Sequence, residues 1–222
     1  MRKFTICMAE QRSAEWFRVR LGKLTGSVAG DMLAKVKSGE AACRRNLRLR
    51  LVLERLTGQS QDDTYITPAM QAGIDREALA FAAYESMTGE LVSRSGFLAH
   101  TEIQAGCSLD GHIGDFDKLL SIKCRQPAAH FEFLRSGKIP ADALAQIRHE
   151  LWIVGASEHD YFSFNPDFPA PLRARVVTVN AADAQIPEYE REALAFLAEV
   201  DREVEAVQTM TDLSAQLQKV VA

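Results

Sequence analysis

Apolar residues recur at helical spacing through the first ninety or so positions, then change after Gly89 to short alternating or continuous runs. Ser13 is placed to cap a short amphipathic helix carrying Trp16, Phe17 and Val19, which Gly22 stops. Thr25-Gly26-Ser27 opens a second helix through Val28, Met32 and Leu33, and a third through Leu47, Leu51 and Leu53 ends at Gly58. The polar stretch 59–65 predicts a loop. Thr67 and Pro68 then start a helix through Glu77, Leu79, Phe81 and Tyr84 that stops at Gly89. Val92, Phe97 and Ile103 predict short strands, residues 106–110 another, and 119–123 the strand after it. Gly111, Gly114 and Asp115 make a tight connection, so these last two strands are expected to form a hairpin. A helix from Pro140 carries Leu144, Ile147, Leu151 and Trp152 to a stop at Gly155, and strands at 160–164 and 175–179 complete the sheet. An amphipathic helix from Pro187, about 187–210, places Leu194, Leu197, Val200, Val204 and Val207 on one face. Helix, sheet, helix in one chain predicts an α/β or α+β domain with a mixed central sheet flanked by helices.

Composition adds limits. At 222 residues and 47% hydrophobic content the chain can bury a substantial core, and a single domain over 1–222 is favoured. No run of about 18 apolar residues is present to span a membrane, and the start lacks a secretory apolar block, so a soluble intracellular, cytoplasmic protein is expected. Cysteines at 7, 43, 107 and 124 have neither close pairing nor zinc-like spacing and read as reduced thiols, with Cys107 and Cys124 as small core residues. The net charge of −4 hides an asymmetry. Residues 1–60 carry thirteen Arg and Lys against five acids, whereas 181–222 carry nine acids against three bases. The basic helical N-terminal part can face phosphate while the acidic C-terminal helix faces water or a subunit; charges that simply solvate helix surfaces are the plainer reading of each cluster.

Candidate chemistry lies on the predicted hairpin. In a strand alternate residues share a face, so Asp117, Leu119, Ser121 and Lys123 point one way and Leu120, Ile122 and Cys124 the other. Paired with Asp110, Ser121 and Lys123 would surround a small pocket able to hold a divalent cation, a water and a phosphate. Magnesium wants oxygen ligands and keeps some of its waters, which suits Asp110 and the helix-borne Glu77. The lysine would polarise the attacking water or neutralise charge developing on phosphate. By itself an Asp followed at this distance by a lysine is a weak signal, since turn aspartates and strand-end lysines produce it often.

Further segments make the chain recognisable: Trp16-x-x-x-Arg20-Leu21-Gly22-x-x-Thr25-x-Ser27, Gly73-x-x-x-Glu77, Cys107-Ser108-x-Asp110-Gly111, Ile122-Lys123-Cys124, Ala145-Gln146-Ile147 with Leu151-Trp152, and Phe164-Asn165-Pro166. Together, over roughly 11–169, they resemble the lambda exonuclease, or YqaJ-like viral recombinase, family of the PD-(D/E)xK nuclease superfamily. The resemblance implies a restriction-endonuclease-like core and a bacterial or phage-encoded metal-dependent 5′→3′ exonuclease. Such an enzyme digests linear double-stranded DNA to mononucleotides as a ring-shaped homotrimer, serving a single-strand annealing recombinase partner. It places Glu77, Asp110 and the Ile122 carbonyl on magnesium, with manganese as a substitute, and Lys123 as catalytic lysine. Arg20, Ser27 and Ser108 match positions that receive a terminal 5′-phosphate, and a guanidinium with two hydroxyls makes a compact anion pocket. Trp16 either stacks near the DNA end or sits in the core. Gln146 and Arg148 lie on a helix bordering the site, where Arg148 can add a phosphate contact. Arg44, Arg45, Arg48 and Arg50 suit non-specific, salt-sensitive contact with the duplex backbone.

Ser121 departs from the family motif, which has a carboxylate there. If about 3 kcal/mol of that carboxylate's attraction for the metal survived desolvation, a hydroxyl in its place would weaken metal affinity roughly a hundredfold. Asp117 lies roughly 13 Å along the same strand, beyond inner-sphere reach. Glu150, one turn after Gln146, is the nearby acid that can share that helix's site-facing side. Two alternatives follow: a catalytically impaired DNA-end-binding protein of the same fold, or a structure-specific endonuclease.

Overall fold

The computed structural model describes residues 2–9, 13–61 and 68–221, and the side chains among them other than those of 68–70, 72–74 and 211–221. In chain order the elements are β1 (Phe4–Cys7), α1 (Ala14–Arg20), β2 (Leu24–Thr25), a 3-10 turn (Gly26–Val28), α2 (Ala29–Met32), α3 (Ala42–Thr57) and α4 (Pro68–Thr88). Then come β3 (Phe97–His100), β4 (Ala105–Ser108), β5 (Gly111–Ile113), β6 (Lys118–Cys124), α5 (Pro127–Ser136), α6 (Ala141–Val154), β7 (Glu158–Phe164), a second 3-10 turn (Ala170–Leu172), β8 (Ala174–Asn180) and α7 (Ile186–Val221). Thr67 and the loop positions 62–65 lie outside the described residues.

The expected punctuation operates through identifiable groups. Ser13 Oγ accepts the Trp16 amide at 3.1 Å, satisfying one of the orphan donors of α1. Gly58 and Gly155 take the left-handed conformation just past α3 and α6, where a side chain would be strained. β1, β2, β5 and α5 have no counterpart among the expected elements. β1 is a four-residue strand with little pattern of its own, and α5 carries its signals, Pro127 at the first turn and Gly137 after the last, in a stretch with few aliphatic residues.

The single central sheet expected from the sequence is two four-stranded sheets. One runs β1-β3-β4-β2 and the other β5-β6-β7-β8, each mixing parallel and antiparallel pairs. The expected hairpin is corrected accordingly. β6 pairs with β5, not with residues 106–110, because the chain leaves the first sheet at Ser108 and enters the second at Gly111. Asp110 therefore sits at the junction between sheets. Val92 and Ile103 fall in no strand, although Ser93 makes an isolated bridge to His112.

Alternation along β6 divides the core as the pattern requires. Leu120 and Ile122 pack with Phe81, Tyr84, Phe162 and Phe164 beneath α4, whereas Leu119 joins the larger cluster with Tyr161, Ile147 and Leu151 beneath α6. Truncating such a buried side chain to alanine costs about 2–5 kcal/mol. Leu47 and Leu51 of α3 and Leu197 and Val200 of α7 are buried, but Leu53, Leu194 and Val207 are exposed, so the apolar faces are narrower than the sequence pattern drew them.

The charge asymmetry resolves inside the chain. Arg44 bonds Glu199 through both terminal nitrogens, at 2.8 and 2.9 Å, and Glu40 at 2.6 Å. Arg48 pairs with Glu40 at 2.7 Å and with Glu203, Arg55 pairs with Asp201, and Lys35 bonds Glu192 at 2.9 Å. The acidic helix α7 thus lies against basic α3. Arg44 and Arg48, expected to face a DNA backbone, face carboxylates instead, while Arg45 is exposed.

Candidate active site

The end of α1, the turn after β2 and the end of β4 bring Arg20, Thr25, Ser27 and Ser108 together. The Arg20 guanidinium lies over the Trp16 ring at 4.0 Å, which fixes its plane. Its Nη1 donates to Ser108 Oγ at 3.3 Å, its Nη2 reaches Thr25 Oγ1 at 3.5 Å, and Thr25 Oγ1 lies 3.3 Å from Ser27 Oγ. One guanidinium and three hydroxyls in a part-buried cluster can receive a phosphate oxygen by oxygen. In the sequence Thr25 is a motif position to which no role attaches. Its spacing from Ser27, with Gly26 between, was the available signal.

Two positions beyond Ser108, Asp110 is tied to the strand of the lysine. Asp110 Oδ2 accepts the Ile122 amide at 2.8 Å. Burial pushes the Asp110 carboxyl up from its ordinary range, aided by the Glu150 charge, while the Lys123 charge and the Ile122 amide pull it back. Such a carboxylate gains from an added cation. Across a cavity of about 320 Å³ stands Glu77 of α4, ion-paired with Arg94 at 3.3 Å; Met8, Ser95 and Leu109 also line the space. Ser95 Oγ is buried there without a hydrogen-bond partner.

Among the described residues no three His, Cys, Asp or Glu side chains converge as a metal-holding group. The oxygen donors at hand are Asp110, Glu77, the orphaned Ser95 hydroxyl and nearby main-chain carbonyls. That set is open and hard, which fits magnesium, an ion that keeps several waters and needs only one or two carboxylates.

Lys123 points to α6, where its Nζ reaches Gln146 Oε1 at 3.5 Å. Gln146 Nε2 in turn donates to Glu150 Oε1 at 2.7 Å. The other Glu150 oxygen lies 2.6 Å from His159 Nε2, and that nitrogen is 3.5 Å from Ser121 Oγ. Ser121, Glu150 and His159 are all buried. Glu150 is among the acids expected near the site, whereas His159 is not, because its strand position carries no local sign of contact with α6. Gly26 explains how α6 approaches the hydroxyl cluster: a Cβ there would lie 3.3 Å from Gln146 Cγ and 3.4 Å from Glu150 Oε1.

Arg148 is turned elsewhere. Its Nε donates to the Ala184 carbonyl and its Nη2 to Gln185 Oε1, both at 2.8 Å, bracing the start of α7. It nevertheless borders, with Ser27, Asp31 and Asp142, a cavity of about 510 Å³. Cys107 and Cys124 are inert by environment: burial raises the Cys107 thiol well above its ordinary range and Cys124 to about 11.

The fold matches exonucleases of known structure. An alkaline exonuclease from Laribacter hongkongensis superposes with a TM-score of 0.81 at 34% identity, over 92% of this chain and all of that one. The structure of the same exonuclease in complex with dAMP matches at 33% identity, with the same coverage and TM-score. A phage-related exonuclease from Haemophilus somnus 129PT shares the fold at 11% identity, with a TM-score of 0.63 over 83% of this chain and 96% of that one. No curated protein matches the sequence. Arg20, Ser27, Glu77, Asp110 and Lys123 all fall within residues 15–157, the span matched by the model of the YqaJ-like viral recombinase domain, and the chain belongs to that family.

Proposed function

We propose that the protein is a magnesium-dependent 5′→3′ exonuclease that digests linear double-stranded DNA from 5′-phosphorylated ends to mononucleotides. The observation that carries this reading is the clustering of Arg20, Thr25, Ser27 and Ser108 beside Asp110, whose carboxylate is fastened to the strand bearing Lys123. A terminal phosphate held in the cluster sets the register of the strand end. The next phosphodiester then falls toward Asp110 and Lys123, and each turnover presents a new 5′-phosphate to the same pocket.

Asp110, Glu77 and the Ile122 carbonyl would hold magnesium, or manganese in its place, and the bound ion supplies Lewis acidity and a water of lowered pKa. Lys123 presents an ammonium donor to the scissile phosphate and stabilises the charge that develops on its oxygens. Gln146, at 3.5 Å, limits the positions that the flexible lysine stem can adopt. The hydroxyls of Thr25, Ser27 and Ser108 with the Arg20 fork discriminate a phosphorylated from a hydroxyl end. The chain works as a homotrimer around duplex DNA and passes the exposed strand to an annealing protein, as the family resemblance implies; light scattering reads the first and pull-down with a single-strand annealing recombinase the second.

Ser121 favours one competing reading, an end-binding protein without turnover. Digestion of linear duplex with 5′-phosphate or 5′-hydroxyl ends, with and without magnesium, separates the two. Magnesium-dependent loss of the phosphorylated substrate by the unmodified protein supports the exonuclease. Activity confined to Ser121→Glu supports the end-binder, and cutting of a covalently closed circle would indicate an endonuclease instead.

A further inference from the structure

The family motif keeps an acid and the lysine two residues apart on one strand face, about 6.6 Å along it. Here that acidic position is Ser121, yet a carboxylate still reaches the neighbourhood from another element. Glu150 rises from α6, and one of its oxygens is bound to the same His159 nitrogen that Ser121 Oγ approaches. It is 1% exposed. A buried acid of this kind is costly unless both oxygens are engaged, and both are, by His159 and Gln146.

The chemistry of Gln146 gives that engagement a direction. A primary amide can present either its NH2 or its carbonyl to a neighbour, and the two orientations are nearly equal in shape. In this structure the amide turns its NH2 toward Glu150, one turn further along α6, whose Oε1 accepts it at 2.7 Å. The carbonyl is thereby left facing Lys123 Nζ, which only donates. His159 holds Glu150 from the far side, and Gly26 leaves the space that lets both α6 side chains stand against the hydroxyl cluster.

We propose that Glu150 is a positioning residue for Lys123, acting through the Gln146 amide and anchored on His159. The proposal rests on the reading of Lys123 as the catalytic lysine. It does not make Glu150 a metal ligand.

The test measures Lys123 itself in metal-free protein. Trace acetic anhydride labelling, quantified at each lysine by mass spectrometry, compares the unmodified chain with Glu150→Gln, Gln146→Met and the double variant. Lys123 labelling is expected to rise at least threefold in each single variant and no further in the double, with the other lysines unchanged. In the same proteins kcat on 5′-phosphorylated duplex falls about tenfold while KM stays within twofold. Gln146→Met keeps Glu150 on His159 but strands its other oxygen, so the double variant, which leaves no buried carboxylate there, carries the test should either single variant fold poorly. Unchanged Lys123 labelling in Gln146→Met, or losses of kcat that add in the double variant, would overturn the proposal. A labelling response in a protein that leaves duplex DNA undigested would sink the nuclease reading and leave the positioning role standing.

Discussion

Asp110 Oδ2 accepts the backbone amide of Ile122 at 2.8 Å, and this bond joins the point where the chain passes between its two sheets to the strand that carries Lys123. The carboxylate is thus fixed by the element it serves, while burial makes its charge expensive to keep.

Asp110→Asn preserves shape and can still accept from Ile122, but it removes the charge. Because burial raises this carboxyl, its ionisation opposes folding once pH exceeds the ordinary carboxylate range. Asp110→Asn is therefore expected to melt no lower than the unmodified protein in metal-free buffer at neutral pH, while exonuclease activity falls at least a hundredfold. A large drop in melting temperature would show that the site is held together differently.

Arg20 donates as a fork and stacks on Trp16. Arg20→Lys keeps one positive charge but loses the fork and the flat face. A charge-assisted hydrogen bond is worth about 1.5–3 kcal/mol, so the preference for 5′-phosphate over 5′-hydroxyl ends should fall tenfold or more. Trp16→Ala should reduce the same preference to a lesser degree. Initial digestion rates on paired substrates check both.

His149 is buried between Tyr189 OH at 2.8 Å and the Gly106 carbonyl at 2.9 Å, joining α6 and α7 to β4. The Gly106 carbonyl can only accept, so Nε2 carries the proton and Nδ1 accepts from tyrosine. Burial lowers the imidazole from 6.5 to about 4. The folded state favours the neutral ring, so its contribution is complete above pH 6.5 and is lost as pH falls toward 4. The loss amounts to about 3 kcal/mol. Denaturant midpoints of the unmodified protein between pH 7 and 4.5 should fall more steeply than those of His149→Gln.

Arg44 and Arg48 are half-buried against Glu40, Glu199 and Glu203. Replacing Arg48 by alanine should cost about 1–2 kcal/mol of stability, more than an open surface pair, because it strands carboxylates that share it. Affinity for duplex DNA should change less than twofold. Arg45→Ala should leave stability unaltered. Melting curves and salt-dependent binding together distinguish a helix clamp from a DNA-facing surface.

Much of this was legible along the chain. Ser13 starts a helix and Gly58, Gly89 and Gly155 end helices where local backbone chemistry demands it, and the two-residue period of β6 assigns Leu120 and Ile122 to one face and Ser121 and Lys123 to the other. Those are effects of neighbours in sequence, and a pattern of side chains records them. The motif residues Arg20, Ser27, Ser108, Asp110 and Lys123 are likewise legible in the sequence, because their types and order carry a chemical resemblance.

Pairings between distant elements were decided only by tertiary structure. Nothing local distinguishes one mixed sheet from two that part at Asp110, or says that the arginines of α3 meet the acids of α7 across some 150 positions. Nor does the sequence place His159 against Glu150, or turn the Gln146 carbonyl toward Lys123. Burial set these contacts, since a charge removed from water must find a partner wherever packing brings one. By itself the sequence determined which groups are present on which faces; packing determined which of them share a site.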